Sequence, residues 1–120
     1  MANIRMSRIN SELQRAIAEI INNKLMNPNL DGYIISVVDV ETSPDLSYAK
    51  VFISVLTTNE AKTLVLSEIM RAKSFIKREV MKMVRLRRMP ELDFVLDDTY
   101  EKSQKILNLF DQISHEDKGE

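Results

Sequence analysis

Two β-branched stretches, residues 33–41 and 48–56, flank the hexapeptide Thr42-Ser43-Pro44-Asp45-Leu46-Ser47. In the second stretch Ala49, Val51, Ile53 and Val55 alternate with Tyr48, Lys50, Phe52 and Ser54, the period-two pattern of a strand with one buried face. The hexapeptide carries turn chemistry, since proline pre-sets φ and aspartate and serine accept local backbone hydrogen bonds. An antiparallel hairpin with a loop of moderate length is therefore expected. In a chain of 120 residues that hairpin has to share a single core with everything else. Two glycines and three prolines leave room for few irregular loops, so the covering elements should be long and regular.

Helical periodicity supplies those elements. Ser7 is a plausible N-cap for a helix reaching about residue 26, with Ile9, Leu13, Ile17 (or Ala16), Ile20 and Leu25 (or Ile21) near helical spacing. Asn27-Pro28-Asn29 stops it, because proline disfavours helical geometry in the residue before it, and Asp31-Gly32 turns the chain. Thr58 or Asn59 caps a long helix over residues 60–86, on which Val65, Ile69, Ala72, Ile76, Val80 and Met83 form an apolar seam. A straight helix would place Lys73 about 40° from Ile69, in the core, and Phe75 off the seam. A bend or local change of register around Ala72-Lys73-Ser74 resolves both, since a mid-helix serine can bond back to an earlier carbonyl and bend the axis. Two helical segments meeting near Ser74 are expected. After Met89-Pro90, Leu92, Phe94 and Leu96 alternate with Asp93, Val95 and Asp97 as a third strand. Asp98 or Thr99 can cap a last helix on which Ile106, Phe110 and Ile113 share a face. The expectation is one α+β domain over residues 1–114, a three-stranded sheet covered by helices, and a polar, disordered tail at 115–120.

Charge is the feature that points to function. The net charge of −1 hides segments of −2 (residues 1–70), +7 (71–88) and −6 (89–120). The middle segment holds Arg71, Lys73, Lys77, Arg78, Lys82, Arg85, Arg87 and Arg88 against the single acid Glu79. On a straight helix Arg71, Arg78, Lys82 and Arg85 fall within an arc of about 60°, opposite the seam. An ordinary charge run is a solvated face. Here almost no acids are interleaved for i,i+4 pairing, which favours a surface for nucleic acid. Arg5, Arg8 and Arg15, at the start of the first helix, read as a solubilising edge.

Catalytic and ligand chemistry finds little support. Asp97 and Asp98 are strand neighbours that point to opposite faces and fit a strand end and a helix cap. The single histidine, His115, sits in the polar tail, so neither a histidine metal site nor a Ser-His pair is available. Glycines only at 32 and 119 exclude a Gly-rich phosphate loop. Met70, Met81, Met83 and Met89 read as adaptable core and helix surface. The absence of cysteine removes disulfides and thiolate chemistry and fits a reducing compartment. No apolar run approaches a membrane span, and no secretory h-region follows the N-terminus. A non-enzymatic, cytoplasmic monomer without cofactor or metal is expected.

The order helix, strand, strand, broken helix, strand resembles a type II KH domain, an RNA-binding fold. Three segments narrow the resemblance to the ribosome-binding factor A family of bacterial ribosome-assembly proteins. They are Val40-Glu41-Thr42-Ser43-Pro44-Asp45-Leu46-Ser47-Tyr48-Ala49-Lys50-Val51-Phe52-Ile53-Ser54, Ala72-Lys73-Ser74-Phe75-Ile76-Lys77, and Leu86-Arg87-Arg88-Met89-Pro90-Glu91-Leu92-Asp93-Phe94. Weaker similarity extends it over most of the chain. The resemblance implies binding to 16S rRNA in the immature small (30S) subunit, near the decoding region. It also implies a part in late maturation and rRNA processing, in growth in the cold, and release assisted by a GTPase. The RNA surface so implied comprises Arg71, Lys73, Ser74, Lys77, Arg78, Lys82, Arg85, Arg87 and Arg88. Ser74 stands where the family usually has glycine, Lys77 where it has arginine, and Asn27-Pro28-Asn29-Leu30 where it often has Asp-Pro-Arg-Leu. The Gly-x-x-Gly loop of other KH domains is absent, as is typical of this family, so base readout by that loop is not carried over. The alternative from another class is a protein-interaction module whose acidic C-terminal third binds a basic ribosomal protein.

Overall fold

The computed structural model describes residues 4–97, and its element order is the expected one, helix, strand, strand, two helices, strand. Helix α1 spans Ile4–Glu19 and continues into a single widened turn, Ile20–Lys24, closed by the Leu25 amide on the Ile20 carbonyl at 2.8 Å. Leu13, Ala16, Ile17 and Ile20 are buried along one face, the i, i+3, i+4, i+7 stripe of an amphipathic helix. Ser7 lies inside α1 and not at its cap, because the helix begins before it. Helical geometry ends at Lys24, short of the proline, and Pro28–Leu30 forms its own short 3₁₀ turn.

That turn explains the two asparagines. Asn27 caps it by accepting from the Asn29 amide at 2.9 Å. The Asn27 and Asn29 side-chain amides then both donate to Glu68 Oε1, at 2.9 and 3.1 Å. Glu68 is a buried carboxylate on the second helix, so its lone pairs must be satisfied within the fold. Hydrogen bonds from Asn27, then Asn29, hold its carboxyl below the ordinary value of 4.5, with Arg71 adding a smaller attraction against the opposing effect of burial. A folded-state value below the unfolded one gives stability that is present above pH 4.5 and lost as pH falls through the lowered value. Acid unfolding monitored by circular dichroism should therefore be steeper for the wild-type chain than for Glu68→Gln, which has no such proton to take up.

Strands β1 (Ile35–Thr42) and β2 (Tyr48–Val55) form the expected antiparallel hairpin. A bulge between Val37 and Asp39 leaves Val38 without a partner and shifts the inward positions of β1 from Ile35 and Val37 to Val40. In β2 the alternation holds throughout, with Ala49, Val51, Ile53 and Val55 all buried. Strand β3 (Glu91–Leu96) adds to β2 in parallel, Ala49 opposite Leu92 and Val51 opposite Phe94, so β2 is central. Parallel pairing needs a crossover, which helices α2 (Asn59–Arg71) and α3 (Lys73–Met83) provide. Thr58 caps α2, its hydroxyl accepting from the Ala61 amide at 3.2 Å. Helix α1 also packs on β1, where Gln14 donates to the Val37 carbonyl at 2.9 Å and Asn10 accepts from the Thr42 amide at 3.1 Å. These bonds occupy backbone groups on an edge strand that would otherwise be open.

The helix break falls within the expected stretch Ala72-Lys73-Ser74, at Ala72 itself. The Ala72 amide is shared between the Glu68 and Ile69 carbonyls at 3.2 and 3.0 Å, and Ala72 sits at φ −88°, ψ 7°. Its own carbonyl starts the next helix by accepting from Ile76 at 2.9 Å. Fully buried Ile69 and Ile76 on either side fix the angle, and Ser74 is an exposed residue of the first turn of α3. Phe75 packs half-buried against the core, as the broken helix requires. The expected terminal helix, its Asp98 or Thr99 cap and the tail at 115–120 lie outside the described residues.

Candidate nucleic-acid interface

The break and the early end of α3 change how the cations of residues 71–88 are displayed. Arg71 closes α2, Lys73, Lys77, Arg78 and Lys82 lie on α3, and Arg85 follows the helix, which stops at Met83. The single arc expected for Arg71, Arg78, Lys82 and Arg85 on one straight helix does not form. Met83 is likewise not in the core but 43% exposed at the end of α3.

Ion pairs divide the cluster further. Glu91, the first residue of β3, takes Lys73 on one carboxylate oxygen at 3.2 Å and Lys77 on the other at 3.0 Å. These bonds, Lys77 first and Lys73 second, hold the Glu91 carboxyl below the usual range. Lys73 thus leaves the seam by reaching across to the sheet. Arg71 meets Glu68 at 3.5 Å. Glu79, the one acid of the segment, is lowered chiefly by its hydrogen bond from Lys82 at 2.9 Å and also meets Lys24 at 3.8 Å, tying α3 to the end of α1. Arg78, Arg85, Arg87 and Arg88 are exposed and form no ion pair among the described residues. Of the nine expected surface residues, these four arginines are the ones whose donors face solvent uncommitted. Ser74 is exposed in the first turn of α3.

Arg85, Arg87 and Arg88 line a groove of about 1170 Å³. It is lined as well by Arg5, Arg8 and Arg15 of α1 and by Pro44, Asp45 and Leu46 of the β1–β2 turn. That turn is rigidly built. The Ser43 hydroxyl accepts from the amides of Ser47 and Tyr48 at 3.0 and 3.1 Å and lies 2.9 Å from Asp45 Oδ1. Hydrogen bonds from Ser47 above all, then Ser43, lower the Asp45 carboxyl to about 2. Leu46 is held at φ 60°, a left-handed conformation that branched side chains rarely adopt outside constrained sites.

The α1 arginines, expected as a solubilising edge, line the same groove as Arg85, Arg87 and Arg88. The sequence does contain a signal for this. Arg8 and Arg15 are seven residues apart and so share one side of a helix. Among the described residues no group of acids and histidines could hold a metal ion, and no helix is long and apolar enough to cross a membrane.

A family model described as ribosome-binding factor A matches residues 5–110. A ribosome-binding factor A from Acetivibrio thermocellus is 39% identical over 115 residues, which cover 96% of this chain and 93% of that one. The solution NMR structure of a Thermotoga maritima protein described as a ribosome binding factor A superposes with a TM-score of 0.70 at 30% identity, covering 79% of this chain and 89% of that one. A Thermus thermophilus ribosome binding factor A, a homology model fitted into a cryo-EM map of its complex with 30S, superposes at 0.59 with 28% identity, covering 73% and 90%.

Proposed function

We propose that this chain, which belongs to the ribosome-binding factor A family, is a non-catalytic assembly factor that binds 16S rRNA in the immature 30S subunit and aids its late maturation and rRNA processing. The observation that carries this reading is the group Arg78, Arg85, Arg87 and Arg88, exposed and without an ion pair among the described residues. Guanidinium groups offer planar, paired donors that match phosphate oxygens, and such groups left in water are available to a polyanion at little cost. The 30S complex of the Thermus relative supports the same partner. The KH-like element order supports RNA as the ligand, through a basic surface in place of a glycine loop.

Binding alone can perform this task. A protein with higher affinity for one conformation of the assembling subunit raises the population of that conformation by mass action, without making or breaking a bond. Such a factor must then leave, and contacts that are lost together when the rRNA rearranges provide the point at which an assembly GTPase can act. The same logic accommodates a role in the cold, where rRNA rearrangements slow, and a protein acting in the cytoplasm as a monomer.

Salt titration tests the proposal. If the four arginines neutralise about four phosphates, log K for purified 16S rRNA against log salt should fall with a slope of about −3 to −4. A flat dependence, or tight binding to a ribosomal protein with none to rRNA, would favour the acidic C-terminal third as the binding element.

A further inference from the structure

We propose that the groove lined by α1, the β1–β2 turn and the exit of α3 holds one unpaired strand of RNA, with Arg8 and Arg15 contacting its phosphates together with Arg85, Arg87 and Arg88, which line the same groove. This extends the reading above, on which it rests, to a second group of basic residues and to a class of RNA.

Charge supports an anionic occupant. Six arginines and three acids line the groove, so its lining is net positive. Glu12 meets Arg8 at 3.6 Å, Glu19 accepts from the Asn23 amide at 2.8 Å, and Asp45 is bound within its turn. Arg15 forms no ion pair among the described residues, and the Arg8 side chain is 81% exposed, so its bond to Glu12 is readily exchanged for a phosphate. A groove of about 1170 Å³ has room for a segment of polymer.

The apolar part of the lining selects the kind of RNA. Ile9, Leu46, Met83 and Leu86 supply apolar surface there. An A-form duplex presents phosphates and ribose outward and keeps its base faces stacked inside, so it has nothing to place on an apolar floor. An unpaired strand exposes base faces that can lie on such a floor and stack on guanidinium planes while its phosphates meet the arginines. Leu46, held in the left-handed conformation by its turn, is part of this apolar lining.

The test uses the full chain and its Arg8→Ala/Arg15→Ala variant with three probes, a short oligouridylate, an RNA duplex of equal length, and immature small subunits. For the wild-type chain, oligouridylate should outcompete duplex. For the variant, oligouridylate binding should weaken by roughly tenfold or more, with the log K–log salt slope shallower by about 1.4, the value for two single-strand phosphates. Thermal unfolding should be unchanged, since both side chains are exposed. Variant binding equal to wild type in affinity and slope overturns the inference, as does duplex binding as tight as single strand. In either case the wild-type chain still binds subunits. A wild-type chain that ignores immature subunits overturns the functional reading itself, so the two failures are separable.

Discussion

Reversing Arg85, Arg87 and Arg88 to glutamate should weaken binding to the immature small subunit by at least about a hundredfold, because three attractive contacts become repulsive against a dense array of phosphates. All three side chains are exposed and form no ion pair among the described residues, so folding should change by no more than about 0.5 kcal/mol. This triple change is a cleaner test than reversing Lys82, whose ammonium is bonded to Glu79 at 2.9 Å and whose reversal would place two carboxylates together. Binding measured by filtration or sedimentation, beside a thermal melt, gives both readouts. Affinity within about threefold of wild type with an intact melt would exclude the α3 exit as a binding surface.

The second large effect concerns the helix break. Ile76 is fully buried one turn after Ala72, so Ile76→Ala should destabilise the fold by about 2–5 kcal/mol through lost burial and the cavity left behind. Because Ile76 also sets α3 against the core, the variant should lose subunit affinity even at temperatures where it remains folded. Ser74→Ala should do neither, since Ser74 is exposed and the break is made by the backbone of Ala72. Chemical denaturation of the two variants compares them directly. A stable Ile76→Ala protein, or a Ser74→Ala protein that loses binding, would return the break to the serine.

These contrasts show where sequence is informative and where it is not. The hairpin is legible because its signals are local. Alternation in residues 48–55 and the serine, proline and aspartate of the turn act within a few positions of one another. The break in the long helix is legible from the misplacement of Lys73 and Phe75, which confines it to Ala72-Lys73-Ser74. Which of the three makes it depends on how Ile69 and Ile76 reach one core, a tertiary matter, and the backbone of Ala72 does so rather than the serine hydroxyl. The pairing of Lys73 and Lys77 with Glu91 is hidden for a related reason. It exists only because β3 returns parallel to β2 and brings its first residue beside α3. A count of charges along residues 71–88 therefore overstates the cations outside ion pairs, and no count along α1 reveals that its arginines line the same groove as Arg85, Arg87 and Arg88. The groove is assembled from three segments far apart in the chain, and composition cannot bring Arg15 to Arg87.

The most direct test of RNA recognition by this surface is a photo-crosslinking residue placed at Arg87, irradiated on immature small subunits and mapped by sequencing and mass spectrometry. Crosslinks to an unpaired segment of 16S rRNA are expected, diminished by high salt and by Arg8→Ala/Arg15→Ala. Crosslinks confined to ribosomal proteins, or an rRNA signal indifferent to salt, would contradict RNA recognition there.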